Sequence, residues 1–137
     1  MHTQEMISAH PQVRGGVNAA LIKCIDACHD CAQACTACAD ACLGESSVAD
    51  LTQCIRMNLD CADLCNVSAA MGSRRTGSNE RSLKLTLEAC MEVCRLCAEE
   101  CQKHAEKHAH CRICADACKT CEEACRAAAD SIMVPVH

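Results

Sequence analysis

The sequence predicts an all-α fold: an antiparallel up-down-up-down four-helix bundle with a Cys-lined core. Three observations carry that prediction. Cysteine recurs in alternating steps of three and four within separate segments. Clusters of Gly and Ser divide those segments, and neither of the two prolines falls inside one. The chain has 137 residues with 18 Cys and no Phe, Tyr or Trp, so Cys and Ala must take over the core role that Leu, Ile, Val and aromatics normally fill.

The length suits a single domain over 1–137. Residues 1–16 form an N-terminal segment ahead of the bundle. The first helix is expected over about 17–43, stopping at Gly44, with Cys24, Cys28, Cys31, Cys35, Cys38 and Cys42. The second is expected over about 48–71, stopping at Gly72, with Cys54, Cys61 and Cys65. Ser47 followed by Asp50 resembles a capping box at its start. A polar stretch, 72–79, follows. The third helix is expected over about 80–107, with Cys90, Cys94, Cys97 and Cys101. The fourth is expected over about 109–131, with Cys111, Cys114, Cys118, Cys121 and Cys125, and Pro135 lies beyond it. Abundant Ala supports helix throughout.

Steps of three and four place the cysteines of each segment on one helical face, which strand alternation cannot do. The other faces carry charge, among them Asp26, Asp30, Asp40, Glu92, Arg95, Glu99, Asp116, Lys119 and Glu122. Each helix is therefore amphipathic with cysteine as its apolar stripe. Short loops pack such helices antiparallel, and the four stripes then face one channel. Cys24 to Cys42 spans about 27 Å at ~1.5 Å per residue, so the thiols form a tube and not a point. Val17, Leu21, Leu83, Leu87 and Ile132 extend the stripes at one end as an aliphatic plug. At the other end His104 and His108 continue the third stripe, and His110 precedes Cys111. That end reads as a mouth. The second stripe lacks a Cys between 54 and 61, where Met57 and Asn58 stand as weak additional ligands.

Net charge is −5, with no basic patch, which argues against nucleic acid. No apolar run approaches membrane-spanning length, which argues against a membrane. The start of the chain shows no secretory pattern, so a cytoplasmic location with reduced thiols is expected. Many thiols in a reducing compartment point to metal before disulfides. Thiolate and thioether ligands select copper(I), which needs no four-ligand cage. One thiolate per copper(I) leaves a buried tube neutral, whereas a zinc tetrathiolate leaves about −2 per site, and uncompensated buried charge is very costly. Storage of multiple copper(I) ions is the function these points favour.

The segments Cys24-Ile-Asp-Ala-Cys28-His-Asp-Cys31-Ala-Gln-Ala-Cys35-Thr-Ala-Cys38 and Cys111-Arg-Ile-Cys114-Ala-Asp-Ala-Cys118-Lys-Thr-Cys121 resemble the cytosolic copper storage protein family. The resemblance covers 17–131. It implies a bundle binding many copper(I) ions inside, a homotetramer, and loading assisted by histidines near the open end, here His104, His108 and His110.

Two other readings stay open at this stage. A zinc or mixed-metal thiolate buffer is the stronger, since four facing helices could supply S₄ layers. The uneven cysteine numbers per helix argue against regular layers. An iron–sulfur electron carrier is the weaker, because the steps are not those of ferredoxin loops and no Cys precedes a Pro. No catalytic constellation stands out, so no enzyme activity is expected. His2, His10, His29 and His137 receive no role.

Overall fold

The computed structural model describes residues 1–14 and 16–134, so Pro135 and His137 lie outside the described residues. Five α-helices are present among them: α1 (Thr3–Ser8), α2 (Ala19–Leu43), α3 (Thr52–Ser73), α4 (Glu80–Gln102) and α5 (Ala109–Ser131), with a 3₁₀ turn at Val48–Leu51. Helix α2 packs against α3 and α5, and α4 packs against α3 and α5. That is the square of an up-down-up-down bundle. Its sense is visible in the sulfurs: Cys24 near the start of α2 lies 3.4 Å from Cys125 near the end of α5. Far along the tube, Cys38 lies 3.9 Å from Cys111.

Local chemistry sets the element ends. Asn18 caps α2, its Oδ1 accepting from Leu21 N at 3.1 Å, so the helix starts at Ala19 and not at 17. The expected Ser47 capping box does not form. Ser47 makes no side-chain cap bond, and its carbonyl instead accepts from Asp50 N at 2.9 Å inside the 3₁₀ turn. That turn occupies 48–51, so the second long helix begins at Thr52. It also does not stop at Gly72. Gly72 is buried inside α3, where a Cβ would lie 3.0 Å from Ile25 Cγ1 and 3.2 Å from Leu21 Cδ1. The glycine is there for the close approach of α2, not for a helix end.

The third long helix ends at Gln102, five residues short of the expected 107. Residues 103–107 instead make tight turns, with His104 N bonded to Cys101 O at 3.0 Å and His108 N to His104 O at 3.0 Å. The chain has to reverse here for Cys101 and Cys111 to face the same tube, and no Gly or Pro announces the reversal. Helix α1 is a further departure. Its six residues carry too little pattern to read as a helix, and tertiary contacts hold it: Ile7 is buried, and Thr3 Oγ1 donates to Asp26 Oδ1 of α2 at 2.6 Å.

One end of the bundle has a conventional core. Leu21, Ile25, Leu83 and Leu87 are almost fully buried there, with Ile132 beside them and Val17 packed on the edge. Fully burying a Leu contributes about 1.5–3 kcal/mol, so this plug is a main source of metal-independent stability.

Candidate metal site: a tube of thiols

All 18 cysteines are free thiols and all are buried. Among the described residues, the buried polar side chains besides them are Asn58 and Ser68. The sulfurs lie in a continuous net. Near the plug, Cys28 sits 3.7 Å from Cys125 and 3.7 Å from Cys121. In the middle, Cys35 lies 3.6 Å from both Cys118 and Cys114, and Cys61 lies 3.6 Å from Cys94. Cys65 lies 3.8 Å from each of Cys90, Cys94 and Cys121.

Ligand-distance sets of four sulfurs occur along the whole tube. They include Cys28, Cys90, Cys121 and Cys125; Cys31, Cys65, Cys94 and Cys121; Cys31, Cys35, Cys61 and Cys118; and Cys35, Cys97, Cys114 and Cys118, each within 4.8 Å of one another. Cys31, Cys35, Cys118 and Cys121 each belong to two of these sets. Sites that share sulfurs cannot fill as independent cages. They suit an ion of low coordination number whose thiolates bridge to a neighbouring ion. Four-sulfur sets exist, but they overlap and do not form the regular separate layers that the uneven cysteine numbers argue against.

Asn58 fills the gap in the α3 stripe and is fully buried. Its Oδ1 accepts from Cys97 at 3.1 Å, Cys101 at 3.2 Å and Cys114 at 3.3 Å, and its Nδ2 points at Cys54 Sγ at 3.8 Å. It is therefore a member of the tube wall. Met57 is only half-buried and packs on the edge of the core.

The mouth is built from the α2 end, the 3₁₀ turn, the α4 end and the α5 start. Cys38, Cys42, Cys54 and Cys111 form its sulfur set. His110 faces them: Nδ1 lies 3.4 Å from Cys38, 3.6 Å from Cys111 and 4.0 Å from Cys42. Its other nitrogen, Nε2, donates to Glu45 Oε2 at 3.1 Å. A proton on Nε2 leaves the Nδ1 lone pair aimed at the thiols, the arrangement a carboxylate imposes on a metal-ligating histidine. His108 also reaches Glu45, Nδ1 to Oε2 at 2.7 Å, and its ring stacks on His110 with centroids 5.3 Å apart. His104 Nε2 turns to Glu100 Oε2 at 3.0 Å. Of the three histidines read from the sequence, the structure brings His110 to the thiols and sets His108 behind it. His104, just past the end of α4, it ties to the carboxylate of Glu100 in that helix's last turn.

Glu45 was not among the residues read as functional. It stands 65 positions from His110, just past Gly44, and no spacing marks it. Its carboxyl is held below the usual range, by the His110 bond first, so it stays anionic beside the mouth. Burial pushes the Cys42 thiol up and Cys111 up to about 12, leaving both protonated near neutrality. In the same set, neighbouring thiols, Cys101 first, hold Cys54 low, at about 3. The thiolate is the form of cysteine that binds metal.

A family model described as Csp, copper storage protein, matches residues 17–130. A copper storage protein from Streptomyces lividans, Ccsp, loaded with 10 copper equivalents, is 50% identical with a TM-score of 0.87, over 90% of this chain and 95% of that one. A cytosolic copper storage protein from the same organism carrying five coppers is 52% identical with a TM-score of 0.82, over 83% and 95%. The Cu(I)-bound BsCsp3, from Bacillus subtilis, is 41% identical with a TM-score of 0.66, over 75% and 92%. No curated protein sequence matches the chain.

Proposed function

The chain belongs to the copper storage protein family, and we propose from that premise that it sequesters copper(I) to about one ion per cysteine inside the tube. The observation that carries the reading is the overlap of the sulfur sets. Shared sulfurs fit bridging thiolates, and one copper(I) per thiolate leaves the buried channel neutral. Zinc in the same sets would leave negative charge at every site, and no Lys or Arg is buried among the described residues to offset it. The protein is a store and not a catalyst, and copper(I) is its cargo.

Loading proceeds from the mouth. At the opposite end Leu21, Ile25, Leu83 and Leu87 close the tube with no thiol or imidazole among them, while His110 presents a lone pair to Cys38, Cys42 and Cys111. Imidazole holds copper(I) less tightly than thiolate, so an ion arriving at His110 moves inward. Glu45 fixes the ring for that role and adds negative charge for an incoming cation. His108 and His104 extend the same path outward. Asn58 Oδ1 is a supplementary ligand where the α3 stripe has no sulfur, and Met57 a peripheral one. The test is uptake from a copper(I) chelator by stopped flow. His110→Ala should load several-fold more slowly while its capacity falls by no more than about one ion. Uptake at the wild-type rate would remove the entry proposal and leave storage standing.

The location is proposed as cytosolic, where thiols stay reduced. In support, one relative is described as cytosolic, and no helix among the described residues is long and apolar enough to cross a membrane. A homotetramer is proposed from the family resemblance. Leu59 and Val67 on α3, Leu85 and Leu96 on α4 and Ile113 on α5 leave apolar surface for it, each at least 39% exposed. Sedimentation of a single monomer species at micromolar concentration would contradict it.

A further inference from the structure

Three of the histidines that no sequence pattern assigned, His2, His10 and His29, come together. A surface groove of about 380 Å³ beside α1 is lined by Met1, His2, Met6, His10 and His29, with Ile7 beneath. Three of the chain's seven histidines and two of its six methionines thus meet outside the tube. From this juxtaposition we propose that the groove between α1 and the outer face of α2 is a second, exchangeable site for one copper(I) ion, held by His29, His2 and Met6.

The scaffold of this groove is fixed from both sides. His29 stands on α2, a helix whose inner face is locked into the cysteine core. Thr3 binds Asp26, one turn before His29, and Ile7 is buried, so α1 is pinned across that turn. His2 and Met6 are four residues apart and share a face of α1, with Met6 N bonded to His2 O at 2.9 Å. Beyond α1, His10 has a structural task. Gln12 N donates to its Nδ1 at 3.0 Å, which leaves the proton on Nε2 for the bond to Thr76 Oγ1 at 3.1 Å. Gln12 Oε1 in turn accepts from Gly77 N at 3.0 Å. These bonds tie residues 10–12 to the α3–α4 loop and occupy the His10 ring. His29 has no hydrogen-bond partner among the described residues, and His2 uses only Nδ1, at 3.4 Å from Glu5.

The donor chemistry selects the ion. Thioether with imidazole is a soft, neutral set that suits copper(I), and two or three such ligands suffice. Neutral donors leave the ion its +1 charge, which an exposed groove tolerates and a buried tube does not. Affinity therefore falls below that of the thiolates, and the groove fills only after the tube.

The test uses the full chain with methyl-labelled methionine, first loaded anaerobically to its thiol capacity and then given further copper(I). One additional ion is expected, shifting the Met6 methyl and His29 ring resonances together. His29→Ala and Met6→Leu should each weaken that uptake at least tenfold with the tube capacity unchanged. Both side chains are exposed, so neither variant threatens the fold. His104→Ala/His108→Ala should keep the extra ion. Absence of an ion beyond the tube, or equal extra uptake by the His29 and Met6 variants, overturns the proposal. The ion-to-thiol ratio in the first stage reads the tube by itself, so failure of storage and failure of the groove are distinguishable.

Discussion

The two ends of the bundle are made of opposite materials. At the closed end, Leu21, Ile25, Leu83 and Leu87 pack as any small helical core does, and Gly72 lets α3 approach α2. At the mouth, buried thiols meet a part-buried imidazole and carboxylate, linked by hydrogen bonds. The contrast separates two requirements. Fold stability can rest on the closed end plus neutral thiols, which pack as small hydrophobes. On the proposed loading route, access to metal rests on the mouth. A protein so divided can be folded while empty and can change its copper content without changing its fold.

The largest expected effect lies at the closed end. Leu83→Ala and Leu87→Ala should each cost about 2–5 kcal/mol of apo stability, read as a lower denaturation midpoint. The rate of copper uptake by the folded variant should hardly change. A loading defect as large as that of a mouth variant would break the division of labour. In the same spirit, circular dichroism of the reduced, chelated wild type should be helical, and a coil spectrum that turns helical only with metal would refute the pre-formed tube.

Asn58 sits between the two regions and should show an intermediate effect. Asn58→Ala removes the acceptor shared by Cys97, Cys101 and Cys114 and should cost about 1–3 kcal/mol in the apo protein. Capacity should change by no more than about one ion. Loss of several ions would instead make Asn58 a hub of the copper network.

Smaller effects belong to the mouth. Glu45→Gln removes the anion that orients His110 and His108 and should slow loading by a few fold, less than His110→Ala. Acid should act in the same direction. The Glu45 carboxyl is lowered in the folded chain, so its contribution is present above the ordinary carboxylate range and is lost as pH falls through its folded value. Raised thiols such as Cys42 and Cys111 are protonated near pH 7, so filling their sites should release about one proton per ion. Unbuffered indicator dye during titration measures this, and no release at the mouth sites would show that these thiols are already ionised.

Legibility in the sequence differed between the same two regions. The tube and plug could be read because a helix converts spacing into a face: every stripe Cys is buried, and so are Leu83 and Leu87. The mouth could not be read to the same depth. Its geometry comes from chain reversals at 44–51 and 103–108, where residues distant in sequence meet and periodicity carries no information. Extending the α4 stripe through His104 assumed a helix that ends at Gln102. The residue that does face the thiols, His110, has no such pattern, and Glu45 has none at all. The same reason hid α1 and its groove, since six residues held by Ile7 and the Thr3–Asp26 bond depend on tertiary contact.

The central claim is that the thiols act as one bridged tube for copper(I). Anaerobic titration of the reduced protein with copper(I), followed by gel filtration and metal analysis, tests it most directly. Uptake of close to one ion per cysteine, on the order of 18 per chain, is predicted from charge neutrality in the buried channel. Saturation at about four or five ions, as separate tetrathiolate cages would give, would contradict it.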